Sequence, residues 1–250
     1  MDKDRIVFED EHLLIYNKPA GMAVQTRKVT EVDLESMIKG YLYEKCGAAP
    51  YLGLVHRLDQ PVEGLVLFAK DKKTAGVLSR MIGDEKMEKG YMAVVSGRPK
   101  EPEGELCDYL TWDGRTNMAA VSEKGVKGAS LAKLHYKLLE SKEIEGRECS
   151  LLDIRLFTGR HHQIRVQLAH MGCPIMGDRK YNMDCGAGRS FPALAAYSLT
   201  FPHPVTGIKV TARISPDNPY FVRDNAFKRI LIHLKANATI GVDESSSTPI

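Results

Sequence analysis

Four stretches of this chain concentrate side chains able to act as acids, bases, nucleophiles or anion binders. The first, His56-Arg57-Leu58-Asp59-Gln60-Pro61-Val62-Glu63-Gly64, sets a polar cluster directly before the apolar run 64–69. A carboxylate in that position lies in a loop at the rim of the core, partly desolvated yet able to reach a cleft, which suits Asp59 for acid, base or nucleophilic work. The same residues also read as ordinary loop charges around a Gln-Pro turn, and spacing alone does not choose. The second stretch runs from Thr158 through Gly159, Arg160, His161 and His162 to Arg165 and His170. Gly159 is a natural start for a helix whose amino end attracts anions, and Arg160, His161 and His162 crowd donors around it. His161 and Arg165 are four apart while Ile164 and Leu168 line the adjacent apolar face, so Arg165 is expected at the boundary of core and cleft. Adjacent histidines diverge on a helix, and no carboxylate is spaced to join His161, His162 and His170. The cluster therefore reads as solvated or RNA-facing, and no metal is expected. In the third stretch Tyr91 opens a strand after a charged loop and, locally, reads as a core aromatic with a wet tip. In the fourth, Tyr16 to Met22, a strand ends in a Pro/Gly turn where Lys18 is either a cleft cation or a solubilising charge.

These groups need a scaffold, and the hydrophobic pattern supplies one. Short β-rich runs recur at 5–8, 13–17, 64–70, 91–97, 131–140, 150–157, 195–201 and 208–214, most bounded by Gly, Pro or charge. The 64–69 segment is continuously apolar, as expected of a strand covered on both faces. Leu34, Met37, Ile38, Tyr41 and Leu42 repeat at helical spacing behind Thr30-x-x-Asp33, a capping-box pattern that predicts a helix over 32–45. Further helices are expected at 71–82, 160–171 and near 219–234. Strands dominate and arrive without regular helical crossovers, which favours α+β with a large, mostly antiparallel sheet over a doubly wound parallel one. Residues 1–235 read as one domain; 236–250, with Ser245-Ser246-Ser247-Thr248-Pro249 and no Lys or Arg, reads as a frayed tail.

Composition narrows the class further. Across 250 residues, 43% hydrophobic and 27% charged content excludes a disordered or fibrous chain. The 35 Lys and Arg against 32 Asp and Glu leave +3, a balance that permits a nucleic-acid partner without demonstrating one. Cys46, Cys107, Cys149, Cys173 and Cys185 include no CxxC pair, so they are expected as reduced thiols packed as small apolar groups rather than as zinc ligands. The amino end carries no export signal and the chain no bilayer-length apolar run, so a cytoplasmic protein without membrane contact is expected.

Taken together, the motifs resemble a family. Asn17-Lys18-Pro19-Ala20-Gly21-Met22, His56-Arg57-Leu58-Asp59 before 64–70, the segments 89–97 and 158–181, and 197–207 are similar, in order and separation, to the successive motifs of the RluA-type RNA pseudouridine synthases. The resemblance covers most of 5–215. It implies a catalytic domain with a large mixed, mostly antiparallel sheet, flanking helices and a central RNA-binding cleft, without an amino-terminal S4 module. It also implies a cofactor-free isomerase that converts selected uridines in rRNA or tRNA to pseudouridine. On that resemblance Asp59 corresponds to the essential aspartate, as nucleophile or as base at the 2′ position. Arg165 corresponds to the arginine that pairs with it, and Tyr91 to the tyrosine that stacks on the target base and assists removal of the C5 proton. Arg57 corresponds to the arginine that fills the gap left by the flipped base, a flip the chemistry needs because C1′ and C5 are unreachable inside a stack. Lys18, Arg160, His161 and His162 complete the expected RNA-binding set.

Three positions at two sites depart from the family pattern. Val62-Glu63 stands where Thr-Ser is usual, and His161 where Thr is usual. Val62 lacks a hydroxyl that could brace the loop, and Glu63 is expected to place an exposed negative charge near Asp59 and oppose phosphate. These departures support a second reading, a catalytically inactive RNA-binding protein or RNA chaperone on the same fold. Intact Asp59, Tyr91 and Arg165 oppose it. A hydrolase built on the histidines explains none of the other motifs. The absence of a second domain makes a monomer the expected state.

Overall fold

The computed structural model describes residues 1–26, 30–184 and 191–236. Within them lie eleven strands and five α-helices, an α+β protein. The chain divides into two compact units, Met1–Glu88 with Ala196–Ser215 and His233–Ile250, and Lys89–Ala195 with Pro216–Ile232.

In the first unit, β1 (Ile6–Glu9), β2 (Leu13–Lys18), β4 (Glu63–Ala69) and β10 (Leu194–Pro202) are neighbours in that order; β3 (Gly53–Leu54) pairs with β4, and β11 (Lys209–Arg213) with β10. The pairs β1–β2, β2–β4, β3–β4 and β10–β11 are antiparallel. All seven residues of β4 are buried, which explains why every position after Glu63 is apolar. Leu13, Ile15, Leu65, Leu67, Leu199, Phe201, Val210 and Ala212 pack with Leu78 of helix α2 (Lys72–Gly83) into one core. Asp71 caps α2 by accepting from the Thr74 amide at 2.8 Å and its hydroxyl at 2.7 Å. Those two bonds hold the Asp71 carboxyl down to about 2. Helix α1 (Leu34–Cys46) runs where the periodicity placed it, but its cap is Asp33, whose carboxylate accepts from Ser36, rather than Thr30. A short acidic side chain at the N-cap reaches the orphan amides directly, so the capping box shifts by one turn.

In the second unit the strand order is β5 (Glu88–Ser96), β9 (Arg147–Leu156), β8 (Ser130–Ile144), β6 (Glu103–Asp113) and β7 (Met118–Ser122), and each of these pairings is antiparallel. The long β8–β9 hairpin turns through Glu145 and Gly146, both at positive φ (53° and 76°), the two-residue geometry that follows strand twist. Strands β3, β6 and β7 have no counterpart among the sequence expectations. The expected single helix at 219–234 is two, α4 (Pro219–Val222) and α5 (Asn225–Ala236). The break has a local cause: Asp224 accepts from the amides of Ala226 and Phe227 and restarts the helix. Cys149 and Cys173 are buried as expected, whereas Cys46 and Cys107 are exposed. Cys185 and nearly all of the expected tail at 236–250 lie outside the described residues.

Candidate active site

The carboxylate loop is positioned by strand register. Lys18, the last residue of β2, stands opposite Gly64 in β4, so the turn that leaves β2 and the loop that enters β4 emerge side by side. Gly64 has φ +127, and a Cβ there would run into the Ala196 backbone of β10; only glycine lets the two strands close up beneath the loop. The loop between β3 and β4 ends in a turn in which the Val62 amide donates to the Asp59 carbonyl at 3.0 Å. At its base the Leu67 amide donates to His56 Nε2 at 3.2 Å. Two hydrogen bonds cross to the neighbouring turn: Gly21 N–H donates to the Gln60 carbonyl at 2.9 Å, and the Gln60 side chain donates through Nε2 to the Gly21 carbonyl at 3.1 Å. Asp59 is left half-buried and Arg57 exposed.

Lys18 is neither an RNA-facing cation nor a solubilising charge. Its side chain is fully buried, and Nζ donates to the carbonyls of Pro19 (3.1 Å), Met22 (2.9 Å) and Gln60 (3.1 Å). Three acceptors match the three protons of an ammonium, so Lys18 clamps the 19–22 turn to the Asp59 loop. Burial pushes its pKa down to about 7, while the Asp59 and Glu63 carboxylates push it back up. Glu63 also departs from expectation. It is 7% exposed, and its charge acts on the Lys18 ammonium from within the unit rather than meeting phosphate from the surface. A buried lysine beneath the Asp59 loop needs negative charge close by, which gives the Glu63 departure a structural purpose.

The depressed Lys18 pKa fixes a sign for stability. The unfolded chain keeps this proton up to the ordinary value of 10.5, whereas the folded chain releases it near 7. Between those values the unfolded state binds more protons, so folding stability rises with pH. In urea unfolding, the wild type should gain on Lys18→Met by at most about 1.4 kcal/mol for each pH unit between about pH 7 and pH 9. A flat difference across that range would show that Lys18 titrates normally.

In the second unit, helix α3 (Gln163–His170) begins three residues later than the sequence predicts. Gln163 is the reason: its Oε1 accepts from the Arg160 amide (3.0 Å) and the Thr158 hydroxyl (2.8 Å), and its Nε2 donates to the Lys133 carbonyl of β8 (3.1 Å). This side chain holds 158–163 open as a loop. His162 is the N-cap, in the left-handed region at φ 53°, with no side-chain cap bond. It is not solvated as expected; it is 6% exposed and its Nδ1 pairs with the Tyr181 hydroxyl at 2.8 Å. His161 and Arg160 are exposed. Arg165 is 3% exposed, deeper than the expected boundary position. Its Nε and one terminal amine fork onto the two oxygens of Asp178 at 2.7 and 2.8 Å, and its guanidinium lies 5.2 Å from the Tyr181 ring centre. Asp178 itself is fully buried. Sequence reasoning gave Asp178 and Tyr181 no role; an acid inside the apolar segment 174–178 was the available signal. Tyr91 is buried on β5 opposite Ile154 of β9. Asp59, Arg57 and Lys18 thus belong to the first unit, and Tyr91 with Arg160, His161, His162 and Arg165 to the second.

The fold is that of a pseudouridine synthase domain. Over 90% of this chain and 93% of the other, it resembles human RNA pseudouridylate synthase domain containing 4 at a TM-score of 0.72 and 21% identity. The sequence is more specific: residues 12–170 match the family described as RNA pseudouridylate synthase, and the chain belongs to that family. Among curated relatives, it is 31% identical over 83% of its length to the uncharacterized RNA pseudouridine synthase YhcT of Bacillus subtilis, covering 67% of that protein. It is 32% identical over 82% of its length to ribosomal large subunit pseudouridine synthase D of Zymomonas mobilis, covering 67%. It is also 32% identical over 72% of its length to ribosomal large subunit pseudouridine synthase C of Rickettsia bellii, covering 57%. The chain therefore spans between 57% and 67% of the length of these relatives. Among the described residues, no helix is long and apolar enough to cross a membrane.

Proposed function

We propose that this chain is an RNA pseudouridine synthase that isomerises selected uridines without a cofactor. The observation that carries the reading is the family match over 12–170, which contains Asp59 on a loop clamped from below by Lys18. The reaction is an internal exchange. The N1–C1′ bond breaks, the uracil turns in its pocket, C5 bonds to C1′, and the C5 proton is lost while N1 takes one up. Asp59 supplies the carboxylate, as nucleophile or as base at the 2′ position; a half-buried, loop-borne acid serves either role. Tyr91 offers its ring to the base and its phenol to the departing C5 proton. Arg165 supplies positive charge where negative charge gathers. Exposed Arg57 takes the space of the flipped base, and exposed Arg160 and His161 face phosphate and base.

Two of the relatives carry large-subunit ribosomal names, so ribosomal RNA is the first substrate to test and tRNA the second. The reading also holds the protein to be a cytoplasmic monomer. Tritium release from RNA labelled at uracil C5 is the direct experiment. One tritium per modified site is expected from ribosomal RNA or tRNA. Binding of both RNAs without release from either would establish the non-catalytic alternative instead.

A further inference from the structure

The loop before α3 and the β6–β7 hairpin together present an aromatic face to which the proposed reaction assigns no bond making or breaking. Trp112, near the end of β6 and opposite Ala119 of β7, is 56% exposed. It is the chain's single tryptophan. The exposed His161 ring lies 5.0 Å from it. His161 is held on two sides. Its Nε2 is 2.8 Å from Asn117 Oδ1, and its ring stacks at 4.1 Å on His162. Asn117 is itself fixed at positive φ, 52°, in the hairpin loop. His162 is anchored in turn by Tyr181, whose hydroxyl also receives the Ala119 amide at 2.8 Å. A chain of contacts that ends on buried His162 therefore holds two exposed rings side by side.

Cations flank the rings. Arg160 is anchored through Nε on the Leu131 carbonyl at 2.9 Å, and Arg115 at the hairpin turn has a side chain 94% exposed. Asp113, at the end of β6, is turned toward Arg115 at 3.6 Å. Exposed aromatic rings interleaved with cations are the means by which unpaired nucleotides are held without sequence readout. An ordinary exposed tryptophan has no need of a ring locked beside it by four other residues.

We propose that Trp112 and His161 form a stacking platform for an unpaired nucleobase of single-stranded RNA, with Arg115 and Arg160 on its phosphates. The platform rests on the RNA-modifying reading and deepens it by supplying grip on the substrate strand. Because His161 is a departure from the family pattern, it would give this chain a contact of its own.

The single tryptophan makes the test direct. A fluorescein-labelled oligoadenylate of roughly ten nucleotides contains no uridine and reports binding without turnover. Saturable quenching of Trp112 emission is expected on titration. By anisotropy, Trp112→Ala should weaken binding about 5- to 150-fold, the range for one stacked base, while Trp112→Phe should stay within about 5-fold. His161→Ala, which keeps the indole, should weaken binding several-fold, and all three variants should unfold at the wild-type urea concentration. Binding with no change in emission, or with equal affinity in Trp112→Ala, overturns the platform. Failure of the platform and of the enzymatic reading are separable. Tritium release without quenching removes only the platform, and quenching without release from any RNA removes only the catalysis.

Discussion

Asp59→Asn is expected to abolish tritium release while RNA affinity stays within a few-fold of the wild type. The substitution keeps the size of the side chain and removes its charge, so neither attack on the substrate nor abstraction of a proton remains available. The loop itself should survive. The variant keeps the atoms of the loop's backbone and Gln60 bonds, the Asp59 and Gln60 carbonyls, the Val62 and Gly21 amides and the Gln60 side-chain amide, and Glu63 still supplies negative charge to Lys18. Affinity should hold because phosphate contacts carry most of it. Losing an essential nucleophile or base removes several orders of magnitude of rate. Product above the no-enzyme control, measured by release at saturating RNA over hours, would show that the carboxylate is dispensable. Loss of binding together with turnover would instead point to a damaged loop, and circular dichroism and urea unfolding of the same sample would reveal it.

Arg165→Met should be costly in two independent ways. Asp178 is fully buried and takes both oxygens' hydrogen bonds from the Arg165 fork. Removing one member of such a pair leaves an uncompensated buried charge and costs about 3–5 kcal/mol. The expected result is a large fall in the urea midpoint at neutral pH. Turnover should fall as well, through loss of the positive charge assigned to Arg165. The double variant Arg165→Met with Asp178→Asn separates the two effects. Stability should return toward the wild type because the stranded charge is gone, and turnover should not return. If Arg165→Met unfolds like the wild type, the pair is not the anchor described; if the double variant regains full turnover, the arginine acts only structurally.

The parts of the fold that were legible in the sequence share one property: their own side chains determine them. β4 declared itself because both of its faces are buried, so every position is apolar but the first. Helix α2, expected at 71–82, runs from Lys72 to Gly83 behind its own Asp71 cap. Strand β6 was hidden, because Glu103, Glu105, Asp108 and Asp113 interrupt any apolar run along it. In the sheet Glu103 lies across from Lys137 and Glu105 from His135, and those partners are supplied by a strand distant in sequence. The start of α3 was misplaced for a similar reason, since the Gln163 side chain reaches across to β8 to hold the preceding loop. Of the candidate site, Asp59, Tyr91 and Arg165 were singled out by motif order, whereas burial reversed the meaning of Lys18, Glu63 and His162. A charged residue's partner lies wherever the fold brings it, and Asp178 for Arg165 is separated by a turn that local pattern does not describe.

The clamp around the Asp59 loop also orders events in time. Lys18 and Gln60 are 42 residues apart, and the Gln60–Gly21 link spans 39. Contacts of that span form only after loop closure has been paid for by other interactions. Here the antiparallel registration of Leu13–Lys18 with Glu63–Ala69 is what brings the ends together. During synthesis, a nascent chain that has exposed its acidic loop still lacks the ammonium beneath it until those two strands zip. Maturation of the carboxylate is thereby tied to completion of the surrounding sheet, and a misregistered chain carries the same residues without the geometry to use them.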